Sequence, residues 1–178
     1  MLTGSFNPRD LTPADDFMEL SWEVFGELCR ALALKVAKSY DPEIIIGIAR
    51  AGVIPGAVVA SMMRRDFFSL KITRREGGRV VRQRPSILSA APRQARGKRV
   101  LIVDEITTSG DTMRLALAAV REVGPAEIRT ATSFARTRGF QPDYFALATD
   151  STLIYPWDRK IFESGDLVVN PRYRDVDA

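Results

Sequence analysis

Residues 99–113, reading RVLIVDEITTSGDTM, place two adjacent carboxylates, Asp104 and Glu105, shortly before a run of hydroxyls and one glycine. Thr107, Thr108, Ser109 and Thr112 offer hydroxyl donors, and Gly110 lets the backbone approach an anion closely. Carboxylates repel phosphate, so Asp104 and Glu105 are suited instead to accepting hydrogen bonds from vicinal hydroxyls, or to holding hydrated Mg2+ through its waters. Donors for an anion beside acceptors for a diol make a cradle for a phosphorylated sugar.

The elements that must position this segment can be read around it. Val100, Leu101, Ile102 and Val103 form an unbroken apolar run with β-branched character, which suits a strand covered on both faces of a parallel sheet. Beyond Gly110, the apolar residues Met113, Ala116, Leu117 and Val120 recur at helical spacing while Arg114, Arg121 and Glu122 fall on the other side. The order is strand, loop, helix. In open parallel sheets ligands sit beyond the carboxyl ends of strands, where the next helix directs free N–H groups and its positive dipole end at anions. The alternative is an acidic strand end running into an ordinary helix start, for which Ser109 or Asp111 would serve as cap.

The rest of the chain repeats this alternation. Ser21 caps a helix running to about residue 38, and Asp41-Pro42 ends it. Residues 44–48 read as a strand, 49–52 as a loop, and 55–63 as an apolar helix with Pro55 early, where its missing N–H is harmless. Further strands are expected at 67–72, 127–133 and 144–148. Alternating strands and helices predict an α/β fold with a parallel sheet and right-handed crossovers.

Composition limits the chemistry. A chain of 178 residues, 46% hydrophobic, can bury one sizeable core, and a single domain over 1–178 is expected. The net charge of +4 with interspersed acids fits a polyanionic small molecule better than nucleic acid. The absence of histidine removes Ser-His-Asp triads, Cys-His dyads and imidazole-bound zinc. Cys29 is the single cysteine, so no intrachain disulfide forms, and it lies in a helical pattern with Phe25, Leu28, Leu32 and Val36 as a packing residue. No signal-like segment opens the chain and no apolar run has membrane-span length, so a cytoplasmic protein without membrane contact is expected.

Positions 103–112, Val-Asp-Glu-Ile-Thr-Thr-Ser-Gly-Asp-Thr, resemble the phosphoribosyl pyrophosphate (PRPP) signature of type I phosphoribosyltransferases. The shared pattern is apolar residues, an acidic pair, two variable residues, and a small-residue loop ending in Thr. The resemblance implies a parallel twisted sheet flanked by helices, with a core over about 21–150 and a small hood from about 1–20 and 150–178. It also implies Mg2+ as cofactor, PRPP and a nucleobase as ligands, and a homo-oligomer, dimer or tetramer. Asp104 and Glu105 would hold the ribose hydroxyls and the metal, and Thr107, Thr108, Ser109, Gly110, Asp111 and Thr112 would wrap the 5'-phosphate.

The loop 49–52 resembles the family's pyrophosphate loop, which carries an unusual cis peptide. Arg50 would then contact the diphosphate with Ala51 and Gly52 beside it, and the cis bond would join Arg50 to Ala51. The alternative is a surface arginine beside a helix-entry turn. Lys71, near a strand end, either points toward the diphosphate or packs its stem on the sheet. Residues 73–85, with Arg74, Arg75, Arg79, Arg82 and Arg84 around Gly77-Gly78, read as a basic hairpin that closes over substrate.

The carboxyl-terminal third resembles purine phosphoribosyltransferases, of the 6-oxopurine or the archaeal-type purine and adenine kind. Ile106, Thr108, Arg136, Leu153 and Ile154 would contact the base, and Asp158 would approach a second Mg2+. Trp157 is expected in the hood core in preference to a stacking role. Two departures bear on the base. Thr108 stands where 6-oxopurine enzymes usually carry an aspartate, and Arg136 stands where they usually carry a lysine. The expected reaction is Mg2+-dependent phosphoribosyl transfer to a purine; orotate or another pyrimidine, and a non-catalytic PRPP- or nucleotide-sensing regulator, are the alternatives.

Overall fold

The β-branched runs pair side by side. In the computed structural model, which describes residues 17–76 and 79–176, the elements run β1 (Phe17–Glu19), α1 (Trp22–Ala37), β2 (Ile44–Ala49), α2 (Val53–Met63), β3 (Asp66–Thr73), β4 (Arg75–Glu76), β5 (Arg79–Val80) and β6 (Ser86–Ile87). After a 3-10 turn at Arg93–Ala95 come β7 (Arg99–Thr107), α3 (Asp111–Val123), β8 (Glu127–Ala135) and β9 (Tyr144–Ala148). Then follow β10 (Thr152–Ile154), β11 (Lys160–Glu163), β12 (Asp166–Val169) and a 3-10 segment at Pro171–Val176. The Gly77-Gly78 hinge and the portion of the hood assigned to residues 1–16 lie outside the described residues.

Six strands form the central sheet in the order β6-β3-β2-β7-β8-β9, parallel except for the short antiparallel edge β6. The unbroken apolar runs follow from cover on both faces. Ile45, Leu101 and Val103 pack with Leu32 and Val36 of α1, with Tyr40 in the turn beyond it, and with Val59 and Ala60 of α2. The alternate residues Ile44, Ile46, Ile48, Val100 and Ile102 pack on Met113, Ala116 and Val120 of α3. Period-2 alternation along β2 and β7 thus divides one apolar run between two cores.

β7 runs past Val103 to Thr107, because it keeps its pairing with β8 at Asp104↔Thr132, Ile106↔Phe134 and Thr107↔Ala135. The acid pair therefore sits on a strand. The returning strand of the basic hairpin is confined to Arg79–Val80, since the Val81 and Arg82 N–H groups both turn onto the Arg74 carbonyl.

The described residues divide into two compact units, one spanning Gly26–Thr149 and a smaller one built from the chain up to Phe25 and from Asp150 onward. In the smaller unit β1 pairs in parallel with β10, and β11 and β12 form a hairpin. Trp157 stacks on Tyr155 at 4.6 Å and meets Phe25 edge-on at 4.8 Å, with Trp22 5.8 Å away. This aromatic group is the packing role read for Trp157. Among the described residues no helix is long and apolar enough to cross a membrane.

Candidate active site

β7 carries Asp104 to the end of the sheet as a 7% exposed carboxylate. Burial pushes its carboxyl well above the ordinary carboxylate range, and the Glu105 charge adds to the push. The Glu105 N–H, which donates to Asp104 Oδ1 at 2.9 Å, works the other way. The turn after β2 is wedged against the same acid. A Cβ at Gly52 would fall 2.6 Å from Asp104 Oδ1, 2.8 Å from Asp104 Cα and 2.7 Å from the Ile48 carbonyl oxygen. Only glycine fits there, so the 49–52 turn and the acid pair occupy one place.

Beyond Thr107 the chain turns into α3 through Gly110, whose φ of 84° makes it the helix cap without any side-chain bond. Neither Ser109 nor Asp111 takes that position; the left-handed backbone selects glycine instead. A cavity of about 190 Å3 opens here, lined by Arg74, Gln83, Pro85, Asp104, Ile106 and residues 107–113. Asp111 also lines it, and its exposed carboxylate is paired with Arg114 at 3.2 Å, which offsets its charge toward an anion there.

The cavity brings together Asp104, Ile106, Thr107, Thr108, Ser109, Gly110, Asp111 and Thr112. Glu105 is half-buried beside it in sequence, while Arg50, Ala51 and Lys71 belong to the neighbouring strand ends, where Ala49 pairs with Lys71. Arg50 and Lys71 are both exposed. The cis peptide joins Ala49 to Arg50, one bond earlier than the Arg50-Ala51 bond read from sequence, because β2 ends at Ala49 and the chain turns at the first bond beyond it. Arg136 directly follows β8, and its guanidinium donates to the Thr149 carbonyl at 3.2 Å.

In the smaller unit Leu153 and Ile154 are buried residues of β10. There Asp158 accepts from the Tyr173 hydroxyl at 2.8 Å and from Asn170 Nδ2 at 3.3 Å, with Arg172 at 3.6 Å. Among the described residues, no three acidic, cysteine or histidine side chains gather into a ready-made metal cluster.

A family model described as the phosphoribosyl transferase domain matches residues 20–165, most of the chain and all of the cavity. The chain belongs to the phosphoribosyltransferase family. The xanthine-guanine phosphoribosyltransferase of Nitratidesulfovibrio vulgaris is 29% identical, over 86% of this chain and 91% of its own. Orotate phosphoribosyltransferase 2 of Mesorhizobium japonicum is 31% identical, over 89% of this chain and 79% of its own. The crystal structure of a purine phosphoribosyltransferase from Pyrococcus horikoshii superposes with a TM-score of 0.70 at 26% identity, over 84% of this chain and 99% of that one.

Some parts of this phosphoribosyltransferase site carried no signal in the sequence. Gln83 and Pro85 line the cavity although they lie far from the signature segment. Gly139 and Phe140 brace it from behind. The Phe140 N–H donates to the Thr108 carbonyl at 3.2 Å, and the Thr107 hydroxyl donates to the Phe140 carbonyl at 3.3 Å. Glycine followed by an aromatic residue in a loop beyond a strand was the available clue, and it matches no motif by itself.

Proposed function

We propose that this phosphoribosyltransferase moves the phosphoribosyl group of PRPP to a ring nitrogen of a purine base, giving a nucleoside 5'-monophosphate and pyrophosphate. One observation carries the reading: Asp104 and the amide- and hydroxyl-bearing turn 107–112 line the same cavity. The base nitrogen forms a bond to C1', and the bond from C1' to the diphosphate oxygen breaks with its electron pair leaving on pyrophosphate. The ring carries oxocarbenium-like charge between these events. Positioning and electrostatics then account for catalysis.

The N-terminal amides of α3, with Thr108, Ser109 and Thr112, take the terminal phosphate, while Thr107, assigned to the same turn, holds that turn in place through its hydroxyl on the Phe140 carbonyl. Asp104 and Glu105 accept the ribose hydroxyls. Arg50 and Lys71 meet the diphosphate, with Arg74 supplying a further cation from the basic hairpin at the cavity edge. Of these adjacent oxygen ligands Asp104 is pushed toward its neutral form by burial and, second, by the Glu105 charge, and a divalent cation beside the pair would return Asp104 to its charged form. Asp104 and Glu105 would hold Mg2+, which supplies positive charge for the leaving diphosphate. A homo-oligomeric state and a cytoplasmic location belong to the same proposal.

Ile106, Thr108 and Arg136 face the acceptor base in this reading. Thr108 is no proton acceptor near neutral pH, which keeps adenine beside the 6-oxopurines and gives orotate a footing as the second reading. Pyrophosphate release from PRPP and Mg2+, measured with adenine, guanine, hypoxanthine, xanthine, orotate and uracil in turn, is the test. Turnover with at least one purine is expected. Turnover with orotate alone would replace the purine reading, and PRPP binding without turnover on any base would favour a sensing protein.

A further inference from the structure

Facing glycines bring a distant loop against the phosphate turn. A Cβ at Gly110 would fall 2.3 Å from Phe140 Cβ and 2.6 Å from its ring carbon Cγ. Gly139, at φ +113°, approaches from the other loop, and a Cβ there would fall 2.3 Å from the Thr108 carbonyl oxygen. Neither turn could have come so close with side chains in these places. The polar contacts run the same way. Phe140 donates its N–H to the Thr108 carbonyl, and Arg114 Nη1 donates to the Ser109 carbonyl at 2.9 Å. The Arg114 guanidinium also lies 5.6 Å from the centre of the Phe140 ring.

A trans peptide is planar, with its C=O and N–H on opposite edges. Fixing the Thr108 carbonyl against Phe140 and the Ser109 carbonyl against Arg114 therefore turns the next N–H groups, those of Ser109 and Gly110, the other way. Thr108, Ser109 and Gly110 line the cavity whereas Gly139 and Phe140 do not. We propose that Phe140, held in the loop between β8 and β9 and covered by Arg114, is a positioning residue that fixes the Ser109 and Gly110 amides for a terminal phosphate. This rests on the phosphoribosyl-transfer reading and deepens it: affinity for the phosphate end of the substrate depends on a side chain outside the signature segment.

The probe is ribose 5-phosphate, titrated calorimetrically into the full chain, with steady-state kinetics alongside. F140A is expected to weaken ribose 5-phosphate and raise KM for PRPP about tenfold, leaving kcat and the KM for the base unchanged. F140Y keeps the ring and is expected to restore both constants. R114K keeps the charge but loses the planar fork, and is expected to weaken ribose 5-phosphate about threefold by an amount that added salt does not alter. F140A binding within about twofold of wild type overturns the proposal and leaves the functional reading standing. Should F140A fail to fold, R114K decides, and wild-type affinity in that variant overturns the proposal. A wild-type chain that binds neither ribose 5-phosphate nor PRPP removes the functional reading and this inference together.

Discussion

The turns after β2 and β7 make the same connection, from a buried parallel strand to a helix, yet they use glycine for different reasons. Gly52 has an ordinary helical backbone, φ −65°, and is required because Asp104 and the Ile48 carbonyl leave no room for a Cβ. Gly110 has φ 84°, so conformation and the Phe140 ring both demand glycine there. The helices differ in step. α2 is apolar almost throughout and buries Pro55, Gly56, Val59 and Ala60, whereas α3 keeps a polar face with Arg114 and Arg121 exposed. The first turn is a packed wall behind an acid; the second is a shaped rim of donors around a cavity. Anchoring and recognition are thus divided between neighbouring strand ends.

Removing the acid that the first turn supports has the largest expected effect. D104N combined with E105Q should lower kcat/KM for PRPP by on the order of 10²-fold or more while the protein stays folded, as read by pyrophosphate release and circular dichroism. Full activity in that double variant would detach the wall from the chemistry. The glycines come next. G52A should lose about 1–3 kcal/mol of stability in denaturant titration, because its methyl meets backbone and a carboxylate. G110A should lose about 1–2 kcal/mol through the left-handed backbone and a comparable amount again where its methyl meets Phe140, with its kinetic penalty concentrated in the KM for PRPP. Interchangeable kinetic profiles for G52A and G110A would erase the distinction drawn between the turns.

A smaller effect follows from the raised Asp104 carboxyl. The folded metal-free protein binds this proton more tightly than the unfolded chain does, so the resulting stability is fully present at low pH. It is lost as pH rises above the ordinary carboxylate range and through the folded-state pKa. Thermal unfolding across pH should show that loss in wild type and a flatter curve in D104N; parallel curves would contradict it. The smallest change is expected from D111N. Its ion pair with Arg114 is more than half exposed on both sides, so stability should move by less than about 0.5 kcal/mol. PRPP affinity should not fall, and a large fall would mean that Asp111 faces the ligand.

The sequence by itself determined the alternation of strands and helices, and the segment in which acids and donors meet. Those signals are local. The apolar runs of β2 and β7 and the helical spacing of Met113, Ala116, Leu117 and Val120 lie within single elements, so backbone periodicity alone displays them. The acid pair and the hydroxyl loop were legible because one strand-loop-helix unit carries both. Tertiary structure alone decided the strand order, the continuation of β7 through the acids, the wedge of Gly52 on Asp104 and the Phe140 brace behind Gly110. It also placed Gln83 and Pro85 at the cavity and the cis bond before Arg50. Each of these joins or depends on residues far apart along the chain, where what selects a contact is the space left by packing and no repeating pattern records it.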